Sequence, residues 1–254
     1  MAATNHWLLT QIVVDSTNDT VRFKAQYGMG SLTTYTCQIT HGTYTTIFDL
    51  VANLQTAMET ADTGGSATYT WSMDGTTGKL TVTASGLTAF ALVCTYTTNH
   101  AWTLLGCATG SDKSGYPTIT GNYQIPHAWV MPRGPARDTY DRPRILGAET
   151  VVALSGAAER VTWSDQTVRE VEWKVVPASR YLTRFASTNE AFEKVWEDMT
   201  HGYYVSYYTH SGSSYTLEGK YALVCEGDER LEGDRLSPGA AYYNTPTLKL
   251  VKQS

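Results

Sequence analysis

"TTIFDLVANLQTAMETADTGGSATYTWSMDGTTGKLTVTAS", residues 45–85, changes hydrophobic period once, from helical to alternating. Thr46 with Asp49 three residues later marks a capping-box start, and Ile47, Leu50, Val51, Leu54 and Met58 then share one helical face. "DTGG" ends the helix. Beyond it Tyr69, Trp71 and Met73 alternate with polar residues, "DGTTG" turns the chain, and Leu80 and Val82 alternate on the way back. A helix beside such a hairpin predicts one helix packed on a mainly antiparallel sheet.

The flanks extend the pattern. "TVRFKAQY" (20–27) and "TTYTCQIT" (33–40) read as strands around the turn "GMGS", "TAFALVCTY" (88–96) as another strand, and "NHAWTLLG" (99–106) as one helical turn closed by Gly106. The composition agrees. Charged residues are 17% of the 254, below the usual quarter, and Thr, Gly and Tyr fill the gap. Such side chains suit pleated, half-buried surfaces. The fold class expected is mainly β (α+β) in two β-rich domains. The first is an antiparallel sheet with one packed helix, and the second a β-sandwich with a flanking helix.

Charge divides the chain near residue 121. Residues 1–121 hold 4 Lys/Arg and 7 Asp/Glu; the remainder hold 15 and 17. The expected domains are a Thr/Gly/Tyr-rich module over 1–121, a Pro/Arg-rich linker or arm over 122–144, and a second domain over 145–254. In the middle segment, prolines 126, 132, 135 and 143 alternate with Arg133, Arg137, Arg142 and Arg144, and Trp129 and Tyr140 add aromatic surface. Proline disfavours helix and central strand, which predicts an extended arm. It is either a plain linker or a strap on a neighbouring subunit, since interfaces favour arginine and aromatics.

In the last third, Val171, Trp173 and Val175 alternate with charged residues in a long strand ended by Pro177. Ser187 and Glu190 suggest the start of a helix whose Phe192, Val195, Trp196 and Met199 share a face, and Gly202 suits its left-handed end. "YYVSYY" (203–208) follows as a strand, with Tyr203, Val205 and Tyr207 on one side and Tyr204, Ser206 and Tyr208 on the other. The outward rings, Tyr204 and Tyr208, have three readings: cross-strand packing, subunit contact, or a stacking platform for sugar. Leu248 and Leu250 alternate near the end.

Two resemblances emerge. "ITHGTYTTIFDLVANLQTAM", "TGKLTVTAS" and "LLG", spread over some eighty residues, resemble a small α+β module recurring in virion proteins of tailed phages and some large DNA viruses. The order in 145–254 resembles the distal-tail-like proteins of long-tailed phages: a Trp-bearing strand, a Phe/Trp helix, Gly, a Tyr-Tyr strand and a Leu-x-Leu-x-Lys strand. That family implies a β-sandwich with a flanking helix, assembled as a ring joining the tail tube to the baseplate or tail tip. The chain departs from the simplest family pattern by carrying 1–121 ahead of that core.

No motif signals chemistry. The six histidines never fall at metal-ligand spacing, and no nucleophile elbow, P-loop or dinucleotide fingerprint is present. Glu226, Asp228, Glu229, Glu232 and Asp234 crowd one stretch, but Arg230 and Arg235 interrupt them and the calcium-loop spacing fails. Four scattered cysteines form no C-x-x-C pair. The net charge of −5 argues against a nucleic-acid-gripping face, the N-terminal stretch does not read as a signal peptide, and no apolar run is long enough for a membrane span.

The expectation is a soluble, non-enzymatic phage structural protein without cofactor or metal, made in the host cytoplasm and built into the virion tail. Its expected partners are its own copies (a ring, expected as a hexamer), the tail tube protein, and baseplate hub or tail-fibre proteins, without specific nucleic-acid binding or membrane insertion. Trp129, Arg133, Arg137, Tyr140, Arg142, Arg144, Tyr204 and Tyr208 are the expected interface. The alternatives are a tail-fibre or receptor-binding protein holding host glycan, or a neck or capsid-surface protein. A polysaccharide depolymerase ranks last.

Overall fold

The computed structural model describes residues 5–131, 134–139, 142–152, 158–182, 191–211, 214–224, 231, 234–235 and 241–253. The protein is mainly β, an α+β fold of several antiparallel sheets.

The helix Ile47–Ala61 forms as its cap dictates. Thr46 sits in the extended region and its hydroxyl accepts from the Asp49 amide at 3.2 Å, while Ile47, Leu50, Leu54 and Met58 are fully buried. The helix packs on Thr33–Gln38 and on Thr68–Met73. The latter strand pairs with Leu80–Ser85, Trp71 opposite Val82, and Thr118–Thr120 adds a third strand. A four-stranded sheet runs Thr33–Gln38, Thr20–Gln26, Ala89–Leu92, Lys113–Ser114. Phe23, Tyr69 and Phe90 meet where these layers face each other.

The larger sheet organises the rest. Its order is Ala128–Met131, Asn5–Leu9, Val205–Ser211, Ser214–Leu223, Leu248–Lys252, Ala158–Glu172, Arg137–Asp138, with Arg142–Val152 also paired to Ala158–Glu172. The strand Asn5–Leu9 lies between residues 128–131 and 205–211, so the charge boundary near 121 does not coincide with the partition of strands. Ala128–Met131 is likewise no free arm. Its four residues lie between Pro126 and Pro132, contain no proline, pair with the first strand and are all buried. Flanking prolines punctuate an edge strand rather than forbid one.

At these strands both faces of the sheet are covered. Trp7, Leu9, Ala128, Val130 and Tyr208 join the core beneath the helix Ile47–Ala61. Leu8, Trp129, Met131, Val205 and Tyr207 join a second core. The helix Phe192–Thr200 covers that second core with Phe192, Val195, Trp196 and Met199. It starts behind Ala191, which gives no side-chain cap; Ser187 and Glu190, expected at its start, lie outside the described residues. Its end is a Schellman motif: Gly202 at φ +88 donates to Met199 O, and Tyr203 N to Asp198 O at 3.1 Å.

The long strand stops at Glu172. Val175 does not continue the alternation with Val171 and Trp173, because it takes φ +58 and stands 42% exposed, while Val176 turns inward. Val176–Pro177 then pairs with Tyr242–Asn244 in a small sheet, where Tyr243 stacks on Tyr181 at 4.8 Å.

Candidate assembly interface

The strands Arg142–Val152 and Ala158–Glu172 form an antiparallel ribbon, paired from Arg142–Val168 to Val152–Ala158, with irregularities around Gly147. On the other side of the long strand, Leu248–Lys252 reaches only Val168–Val171. Residues 158–167 therefore pair on one side alone, and no third strand joins this part of the ribbon among the described residues. A two-stranded ribbon is marginal by itself in water, and its open edges are templates for another chain.

The base of the ribbon is anchored by charge. Arg169, only 2% exposed, forms a two-pronged bond to Asp138 at 2.9 and 2.7 Å, lies 4.1 Å from the centre of the Tyr207 ring, and has Glu218 at 3.8 Å. Burial alone would make the guanidinium easier to deprotonate; the hydrogen bonds it donates to Asp138, together with its other neighbours, reverse this, and its pKa rises. The Tyr207 hydroxyl meets His6 Nδ1 at 2.7 Å. Burial lowers the His6 pKa, with Asp138 and Glu218 opposing and Arg169 adding to the effect. A polar line thus crosses the sheet from the first strand to the ribbon.

A second anchor holds the helix. Asp198, 5% exposed, accepts from the Thr10 hydroxyl at 2.6 Å and meets His127 Nδ1 at 2.7 Å, with Lys194 3.7 Å from its other oxygen. Burial would raise the Asp198 pKa; the bonds from His127 and Thr10 and the nearby Lys194 outweigh it, so it is lowered. His127 stands at φ +60, a region bulky side chains rarely adopt.

The expected interface residues divide accordingly. Trp129 is fully buried: its indole donates to Arg180 O at 2.7 Å and meets Trp173 edge to face at 5.0 Å, so it is core rather than contact surface. Tyr208 is buried too, stacked on Trp7, its hydroxyl accepting from the Ile47 amide at 3.1 Å. That correction follows from the covered second face of the sheet. Tyr204 is 44% exposed, with Lys220 5.0 Å from its ring centre, and Arg137 is exposed while pairing with Glu170. Arg142 and Arg144 stand at the base of the ribbon opposite Val168 and Gln166, while Arg133 and Tyr140 lie outside the described residues. Arg169 and its link to His6 escaped sequence reasoning, since an arginine in a strand reads as a solvated position, whereas Tyr207 lies buried on the side opposite Tyr204, as the alternation implies.

Most of the acidic stretch 226–234 lies outside the described residues. Among the described residues no three His, Cys, Asp or Glu side chains converge as metal ligands, and no helix is long and apolar enough to cross a membrane. No family model matches the chain, and no curated protein matches it.

Proposed function

We propose that the protein is a structural component of a phage virion, a ring-forming distal-tail or baseplate protein that acts by assembling with its own copies. The order of elements in 145–254 is the basis of the resemblance. The observation that carries the reading is the ribbon 142–167, whose edges have no partner among the described residues of its own sheet. In a closed ring each ribbon reaches a neighbouring copy, which covers the edge that would otherwise recruit strands without limit. Exposed Tyr203 and Tyr204, and Arg137 beside the ribbon's base, supply aromatic and guanidinium surface for the same contact. The tail tube and hub or fibre proteins would dock on the two faces of the ring, with the helix Ile47–Ala61 and its sheets towards the outside.

The test is a chain in which residues 145–165 are replaced by a short Gly/Ser turn. This variant is expected to stay folded by circular dichroism and to sediment as a monomer, while the full chain sediments as a closed oligomer. Equal oligomers from both chains would overturn the role of the ribbon.

A further inference from the structure

A cavity of about 320 Å³ opens where the hairpin turn at 73–76 meets the strand pair Val205–Ser211 and Ser214–Leu223. That volume is at the small end of ligand pockets, about 300–1,000 Å³, and suits a single ring-sized molecule. Ser72, Asp74, Thr81, His210 and Tyr215 line it. Gly75 closes the turn on the His210 imidazole: a Cβ there would fall 2.1 Å from the ring, so only glycine permits this approach.

The polar groups of the cavity are incompletely used. His210 is 8% exposed, and its Nδ1 is buried with no hydrogen-bond partner among the described residues. A buried ring nitrogen of this kind costs stability unless something pairs with it. Asp74 uses Oδ1 to cap the amides of Thr76 and Thr77, at 2.7 and 3.0 Å, which leaves Oδ2 for another donor. The Tyr215 ring packs on Phe48 and edge-on to Trp7, which fixes one aromatic wall.

The chemistry of this lining selects a ligand class. It holds hydroxyls, a carboxylate, an imidazole and an aromatic ring, and no Lys or Arg among the described residues. A phosphate or other anion would face the Asp74 carboxylate. A neutral polyol offers a hydroxyl donor to Asp74 Oδ2, hydroxyl partners to Ser72 and Thr81, and apolar C–H surface to the aromatic wall. The cavity also continues onto a hydroxyl-covered sheet face. Ser72, Thr81 and Thr120 form one cross-strand row, Thr70, Thr83 and Thr118 the next, and Thr81 and Thr120 bond at 3.0 Å. Five of these six side chains are exposed, and Thr81 is half-buried. A chain of sugars leaving the cavity would run along hydroxyls.

We infer that the cavity bounded by Asp74, Gly75, His210 and Tyr215 is a binding site for a neutral monosaccharide unit of a surface glycan. It is separate from the ribbon, so failure of ring assembly and failure of sugar binding are distinguishable results.

The experiment uses the full chain. An array of bacterial surface polysaccharides is followed by titration calorimetry with the neutral mono- and disaccharides of the positive spots, with inorganic phosphate and putrescine as comparison probes. Saturable binding of a neutral sugar is expected, weakened at least tenfold by Asp74→Asn, which keeps the turn-capping Oδ1, and by Thr81→Val. Thr109→Val, at another surface pocket, should leave binding unchanged. His210→Phe should abolish binding; because that variant alters a buried ring, the exposed Asp74→Asn is the decisive one. No saturable sugar binding, or sugar affinity unchanged in Asp74→Asn, would overturn the inference. So would phosphate or putrescine displacing the sugar at equal concentration.

Discussion

The ring of Tyr208 lies flat on the indole of Trp7, centroids 3.9 Å apart and planes 6° from parallel. These residues come from opposite ends of the sequence, and they stack inside the core that also holds the helix Ile47–Ala61. The large sheet is therefore the shared floor of two cores. Each buried ring of this kind removes about 150–250 Å² from water, roughly 4–6 kcal/mol before entropy is counted.

Because the strands that carry this stack also face the second core through Leu8 and Tyr207, the two cores are expected to unfold in a single event. Trp7→Ala is expected to destabilise the chain by about 3–5 kcal/mol. Tyr208→Phe, which keeps the ring but loses the bond to Ile47, should cost about 1 kcal/mol. In urea, far-UV circular dichroism and tryptophan fluorescence should report coincident transitions. Two separate transitions would show that the cores fold independently.

Much of the first core is legible in sequence because its signals are local. The Thr46 cap, the i, i+3, i+4 spacing to Met58, and the alternation from Tyr69 to Val82 lie within forty residues and appear as read. Tyr208 misleads because alternation assumes one wet face, and here a second core covers it. Pairing of residues 5–9 with 206–210 leaves no local trace. Val175 breaks the strand pattern through a positive φ that no neighbouring Gly or Pro announces before Pro177. The His210 cavity is hidden for the same reason as the stack, since its walls are far apart in the chain.

Arg169 holds the ribbon's base to the sheet. Arg169→Met leaves the Asp138 carboxylate without its two-pronged partner and should cost about 3–5 kcal/mol. The double variant Arg169→Met/Asp138→Leu should recover much of that loss, measured by chemical denaturation. A double variant no more stable than the single one would show that the pair is not the unit of stabilisation.

Two acid-sensitive steps are expected, in separate windows. Burial lowers the His6 pKa below its usual 6.5, so the unfolded chain takes up the proton first. That contribution is complete above about pH 6.5 and is lost as the pH falls towards the folded value. His6→Gln should flatten the stability profile as the pH falls below about 6.5. The Asp198 pKa is also lowered, so its contribution is present above about pH 4 and is lost as the pH falls through the folded value. Asp198→Asn should flatten only that lower limb, a difference readable from melting temperatures across the two ranges.

The most direct measurement of the central claim is the mass of the purified full chain in solution at high concentration, with negative-stain images of the same sample. Assembly through the ribbon predicts a closed oligomer of defined mass and ring-shaped particles, and the loss of both when residues 145–165 are removed. A strictly monomeric chain with no ring-shaped particles would contradict the account.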